Sequence, residues 1–323
     1  MAVRRPNYAS GLAGAINGFI DLKASVGLEC LTRNYVLYDL DKWLAAHGAA
    51  SLDEASVTAW AEDRHARQPN AGVGSWVSIE RELASYVRTV VGVDAYSLPR
   101  GWGGRQAVKP PYLISSDEVD AFFLEAPKLK WSGSMAWQST CMFGLMYACG
   151  LRPGEVRRLR PADIRRDSLE IDVIESKGCR SRRLPVTGEV MEMIARCDAK
   201  TSGAFGPDRG FLFANALGAQ VSAGTLSCAF RRIWRQAGLP EKQRGRKPTC
   251  YLLRHHFAYA NIERWARDGA DVDAMLPYLS RFMGHSSIEK TLYYVHTSPD
   301  FMAGFADVGA KLDVILPEVG FHG

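Results

Sequence analysis

The sequence predicts a multidomain, mainly α chain: a wholly helical first domain, then an α+β domain in which helices surround one small β-sheet. Three observations carry this. Apolar residues recur at helical spacing through the first hundred positions. A stretch rich in Gly and Pro, "SLPRGWGGRQAVKPP", then interrupts the pattern. Beyond it, helical segments are broken by a strand–turn–strand pattern. Residues 1–105 are assigned to the first domain, 106–111 to a linker and 112–323 to the second domain. The 323 residues are 47% hydrophobic, enough to fill one large core or two ordinary ones.

In "LTRNYVLYDLDKWLAAHG", Val36, Leu37, Leu40, Trp43 and Leu44 share a helix face, and Gly48 stops the helix. "SLDEASVTAWAEDRHAR" follows, with Ser51 expected to cap a helix opened by Asp53 and Glu54. "WVSIERELASYVRTVVG" repeats the pattern through Trp76, Ile79, Leu83, Tyr86 and Val87. After the linker, Ser115 and Glu118 have the spacing of a capping box. "MAWQSTCMFGLMYACG" is a mostly apolar, buried helix ending at Gly150. In "DSLEIDVIESKGCRSRRLPVT", alternation at Leu169, Ile171 and Val173, a turn at Lys177-Gly178 and a return through Leu184 and Val186 describe a β-hairpin. Helical segments continue from there towards the C-terminus.

Charge narrows the partner. The net charge is only +5, and residues 1–110 are nearly neutral, with 12 Lys/Arg against 11 Asp/Glu. "RRIWRQAGLPEKQRGRK", Arg231 to Lys247, has seven basic groups and one acid, and "CRSRR" clusters Arg180, Arg182 and Arg183. Such loops are either solvated surface or phosphate contacts; on the second reading Arg180, Arg182, Arg244, Arg246 and Lys247 are candidate phosphate-binding residues. Seven cysteines are scattered without a CxxC pair or a zinc spacing, which suggests a reducing compartment and no metal. No signal peptide and no run of about 18 apolar residues appears, so no membrane partner is expected and the cytoplasm is the expected location.

Four segments, in order, carry the chemistry. "YACGLRPGEVRRLRPADI" places an arginine after an apolar helix and an acid three residues on. "IESKGCRSRRLPV" sets Lys177 at a hairpin turn. "YLLRHHFA" holds Arg254. "LSRFMGHSSIEKTLYYVH" has a Gly-His pair, then two tyrosines. Each alone is weak. Together they resemble the boxes of the tyrosine recombinase, or phage integrase, family over about residues 110 to 300. The helical first domain resembles, by pattern only, that family's SAM-like core-binding domain.

In the closing segment, Ser286 and Glu289 form a second capping-box pattern, so a helix is expected just after His285. At about 100° per residue, Tyr294 flanks the face shared by Ile288, Thr291, Leu292 and Val295, while Tyr293 points further away. That geometry leans towards Tyr294. The resemblance selects it, because the family's nucleophile lies nine residues beyond the histidine of this box.

The resemblance implies a reaction. The Tyr294 oxygen would attack a DNA phosphodiester and conserve its energy in a covalent phosphotyrosine. Arg152 and Arg254 would donate paired hydrogen bonds to the non-bridging oxygens, and His285 would add another donor. Lys177 would protonate the departing 5′ oxygen. Glu155, one turn from Arg152, could hold that arginine or a neighbour. No cofactor or metal is required, since cationic side chains supply the electrostatics. One position departs: the family usually has His where Tyr251 stands, and tyrosine shuttles protons poorly near neutral pH. His255 and His256 are expected to be structural, and His296 is a further candidate substitute.

The resemblance also implies double-stranded DNA at specific recombination sites as partner, a homotetramer on DNA with a monomer when free, and closure of the two domains as a clamp on the duplex. The first helices begin near the start of the chain, so no additional arm-binding domain is expected. The apolar residues of "FADVGAKLDVILPEVGF" suit a helix docking on the same or a neighbouring subunit. A phage or mobile element is the expected context. Two rival readings stay open: a type IB topoisomerase-like enzyme, and a degenerate DNA-binding protein without catalysis.

Overall fold

The structure, a computed structural model, describes residues 6–26, 31–68, 72–104, 112–131, 133–176, 180–243, 245–285, 287–288 and 291–292. The chain divides into two compact units, Met1–Val108 and Lys109–Gly323.

The first unit is a helical bundle of α1 (Ala13–Ser25), α2 (Leu31–Ala46), α3 (Glu54–Arg67) and α4 (Val73–Tyr86). A single π turn, Val87–Val91, extends α4 and ends at Gly92, whose φ of 76° relieves the left-handed turn. The helices bury Ile16, Phe19, Leu37, Leu40, Leu44, Val57, Trp60, Trp76 and Leu83 around one core. The cap of α3 differs from expectation. Asp53, not Ser51, is the N-cap, accepting from the Ser56 amide at 2.8 Å, while Ser51 donates its hydroxyl to the Asp53 carboxylate. A carboxylate at the cap satisfies an orphan amide and meets the positive helix end in one contact, which a serine cannot match.

The second unit opens with α5 (Ser116–Glu125), started by the full Ser115–Glu118 capping box. Its central element is α6 (Met135–Cys149), buried on nearly every side, as its all-round apolar sequence demands. α7 (Pro153–Arg158) follows, then an antiparallel sheet of β1 (Ile164–Arg165), β2 (Glu170–Ser176) and β3 (Arg180–Pro185) in that spatial order. The short β1 was not legible in the sequence. Leu169, expected in the strand, sits before it with φ 51° and partly exposed. The alternation is carried by Ile171 and Val173, with Leu184 opposite Ile171. Helices α8 (Gly188–Phe205), α9 (Ala223–Gln236), α10 (Tyr251–Arg267) and α11 (Val272–Met283) complete the unit. Phe122, Phe143, Phe230 and Trp234 form an aromatic cluster in its core. No helix among the described residues is long and apolar enough to cross a membrane.

Candidate active site

The site is built where two glycine-capped helix ends meet the start of a third helix. α6 ends at Gly150 with φ 60° and α11 at Gly284 with φ 67°, both left-handed. Neither glycine has room for a side chain. A Cβ on Gly150 would lie 2.5 Å from the Phe257 ring, and one on Gly284 would lie 2.8 Å from Arg182 Nη1. Helix ends leave their last carbonyls without partners. Here arginine side chains take them.

From Gly150 the chain runs through buried Leu151 to Arg152, the N-cap of α7, with Pro153 at its first position. The Glu155 carboxylate reaches back to the Arg152 backbone amide at 2.8 Å and accepts from Arg152 Nη1 at 2.7 Å. Arg152 Nη2 donates to the Gly284 carbonyl at 2.7 Å. Arg254, buried on α10, donates Nη1 to the Gly150 carbonyl and Nη2 to the Met283 carbonyl, the latter at 2.9 Å. Its Nη1 is 4.0 Å from Glu155 Oε2. Arg152 and Arg254, 102 positions apart in the sequence, thus converge on one carboxylate and on consecutive carbonyls at the end of α11.

A third arginine completes the cluster. Arg182 donates Nη1 and Nη2 to the two Glu155 oxygens at 3.0 and 2.9 Å, a fork-on-fork pair, and Nε to the Phe282 carbonyl at 2.8 Å. Sequence reading placed Arg182 among the candidate DNA contacts. The structure turns it inward, with 11% of its side chain accessible. The register gives the reason. Arg182 pairs with buried Val173, so it shares the inward face of the hairpin, while Arg183 lies opposite Asp172 and pairs with it at 2.8 Å. The two-residue step from Arg182 to buried Leu184 was the signal available in the sequence.

His285 follows the α11 cap. Its amide donates to the Ser280 carbonyl at 2.9 Å, and its Nδ1 is 2.8 Å from the hydroxyl of buried Thr291. These contacts tie the ring's position to the same helix end that holds the three arginines. Tyr251 begins α10, one turn before Arg254, and is half exposed. His255 is half-buried, and its pKa is pushed down to about 4 by loss of water and by the neighbouring Arg254 and Arg246 charges, so it stays neutral at pH 7. His256 stacks on Tyr147 at 5.3 Å and is lowered by burial as well. Arg246 and Lys247 are exposed, and Lys247 lines a 470 Å³ cavity with Arg231, Arg235 and Trp234. Lys177, Arg244, Tyr293, Tyr294 and His296 lie outside the described residues, as do the side chain of Arg180, the 106–111 linker, the Ser286–Glu289 capping pattern and the C-terminal apolar segment.

Comparison with known proteins decides the family. The phage integrase family model matches residues 113–300, more than half the chain. This chain belongs to the phage integrase family, the tyrosine recombinases. The match spans the whole arginine cluster and the Lys177 and Tyr294 positions. A Sinorhizobium fredii protein named as an integrase/recombinase, y4rB, is 25% identical over 89% of this chain and 93% of its own length. A second from that organism, y4rE, is 30% identical over 71% of this chain and 74% of its own. The fold is that of known tyrosine recombinases. The crystal structure of the XerH site-specific recombinase bound to palindromic difH substrate, a post-cleavage complex, superposes with a TM-score of 0.65 at 17% identity, covering 86% of this chain and 79% of XerH.

Proposed function

We propose that this phage integrase family member is a site-specific recombinase that cuts and rejoins DNA strands through a 3′-phosphotyrosine intermediate, in the service of a phage or mobile element. The observation that carries the proposal is the convergence of Arg152 and Arg254 with Glu155 and the Gly284-His285 corner. A guanidinium can brace itself with one edge and donate from another, which suits it to the non-bridging oxygens of a phosphodiester as negative charge grows there. In this reading Arg152 and Arg254 meet those oxygens and His285 adds a donor. Glu155, with Arg182 behind it, holds Arg152 in place. Lys177 protonates the leaving 5′ oxygen, Tyr294 is the nucleophile, and Tyr251 takes the place of the family's histidine as a hydrogen-bond donor.

The basic residues Arg244, Arg246 and Lys247 with Arg180 contact the DNA backbone, and the helical unit closes on the duplex as the other half of a clamp. Assembly on two DNA sites is as a homotetramer, the free protein being a monomer in the cytoplasm. The test is adduct trapping. The full chain is incubated with nicked duplexes carrying inverted repeats from the DNA flanking its gene, and the denaturant-resistant protein–DNA adduct is mapped by peptide mass. Tyr294→Phe is expected to bind but form no adduct, while Tyr293→Phe keeps forming it. An adduct that survives Tyr294→Phe overturns the nucleophile assignment. No adduct from the unaltered chain on any flanking repeat favours the reading without catalysis.

A further inference from the structure

Beside His285 stands a buried hydroxyl to which the proposed reaction gives no role. His285 Nδ1 is 2.8 Å from Thr291 Oγ1, and Thr291 is fully buried. The backbone holds both ends of this contact. The His285 amide donates to the Ser280 carbonyl of α11 at 2.9 Å. The Thr291 and Leu292 amides donate to the Ile288 carbonyl at 2.7 and 2.9 Å, a turn that fixes where the hydroxyl sits. The hydroxyl hydrogen decides the direction of the bond. A threonine side chain has one hydrogen to give, and a buried hydrogen without an acceptor is costly. Among the described residues, His285 Nδ1 is the one hydrogen-bond partner of the Thr291 side chain, so the hydroxyl gives its hydrogen to Nδ1. Nδ1 then accepts, and the ring proton sits on Nε2. The surrounding charge points the same way. The Phe282, Met283 and Gly284 carbonyls, just before His285, receive Arg182, Arg254 and Arg152. An imidazolium would add another positive charge beside these guanidiniums, whereas a neutral ring donates from Nε2 without one.

We propose that Thr291 is a positioning residue for His285: its hydroxyl donates to Nδ1, orients the ring and holds it in the neutral form protonated on Nε2, from which the imidazole gives a hydrogen bond to a non-bridging phosphate oxygen. The phosphate contact rests on the recombinase reading above, and the direction of the Thr291–His285 bond does not. The choice of partner sets the chemistry. A backbone carbonyl at Nδ1 would hold the proton there and leave Nε2 of the neutral ring as an acceptor, a base and not a donor. A hydroxyl that donates makes the reverse assignment. Thr291 does not touch the phosphate itself; it acts through the imidazole.

The full chain, isotope-labelled at its histidine ring nitrogens, is studied by nitrogen–proton correlation NMR at the pH of the cleavage assay. The His285 signals are those lost in His285→Gln. The expected pattern is an unprotonated Nδ1 and a protonated Nε2. A proton on Nδ1, in either the neutral or the doubly protonated ring, overturns the proposal. This arm needs no catalysis, so it stays readable if the unaltered chain forms no adduct, the result that counts against the recombinase reading. The second arm uses two variants. Thr291→Val keeps the methyl group and the volume but loses the hydroxyl, and Thr291→Ser keeps the hydroxyl but loses the methyl. Adduct formation should slow about tenfold in Thr291→Val, the order of one lost hydrogen bond, at unchanged affinity for duplex DNA. Thr291→Ser should keep most of the rate. A residue that merely fills space gives the opposite order, so a serine variant slower than the valine variant refutes the proposal, as does a valine variant as fast as the unaltered chain.

Discussion

Replacing Glu155 by Gln tests the logic of the arginine cluster most directly. The carboxylate is 1% exposed and accepts hydrogen bonds from the Arg152 amide at 2.8 Å, Arg152 Nη1 at 2.7 Å, and Arg182 Nη1 and Nη2 at 3.0 and 2.9 Å. A glutamine keeps the volume, but its amide group turns two donor hydrogens towards groups that are themselves donors. The substitution also removes the negative charge shared by Arg152, Arg182 and, at 4.0 Å, Arg254. Deleting one partner of a buried ion pair costs about 3–5 kcal/mol. The expectation for Glu155→Gln is a loss of that size in urea unfolding of the second unit, together with slower adduct formation. The double variant Glu155→Gln/Arg182→Met removes one of the stranded cations, so Arg182→Met should cost less in that background than alone, by about 1–3 kcal/mol of coupling. Additive effects, or a Glu155→Gln protein as stable and as fast as the unaltered one, would refute the argument.

Gly284→Ala forces alanine to φ 67° and sets its Cβ 2.8 Å from Arg182 Nη1. It should cost about 1–2 kcal/mol of backbone strain and slow cleavage further. Gly269→Ala, at φ 70° with open space around it, should cost the strain and leave cleavage alone. His255 is neutral when folded, with its pKa lowered to about 4 against 6.5 unfolded. The unfolded chain therefore binds the extra proton first. That contribution, at most about 3 kcal/mol, is present above pH 6.5 and lost as pH falls towards 4. His255→Asn should flatten the urea-midpoint profile across that window, and an unchanged slope would show that the imidazole titrates normally. For Lys177, a substrate with sulfur at the 5′ bridging position should restore most of the cleavage rate of Lys177→Ala but not that of Arg152→Ala. Equal defects on the oxygen and sulfur substrates would remove Lys177 from the acid role.

The elements that were legible announce themselves locally. Ser115 and Glu118 made their capping box, α6 is mostly apolar and is buried on nearly every side, and Ile171, Val173 and Leu184 alternate because one face of the hairpin is covered. What was missed depends on partners distant in sequence. Ser51 and Asp53 both carry a capping oxygen, and choosing between them takes the helix's actual entry angle. β1 is two residues long, too short to show a period, and exists because β2 offers it a ladder. Arg182 sits in a basic run that reads as surface, and only strand parity sets it apart from Arg183. The carbonyls of Phe282, Met283 and Gly284 belong to the main chain, and no side-chain motif records them.

The charge of the cluster has a further consequence. Arg152, Arg182 and Arg254 carry three positive charges and Glu155 one negative, so these four side chains sum to two positive charges at one spot. In the proposed reaction a phosphodiester would arrive with one negative charge and hold about two when a fifth oxygen is attached to its phosphorus. The surplus is therefore larger than the resting substrate needs and equal to what the pentavalent arrangement presents. Two of the contacts that hold Arg254 are to peptide carbonyls, which are dipoles without net charge, so these two contacts fix the guanidinium without cancelling its charge. Rigidity and charge, which an ion pair trades against each other, are both kept.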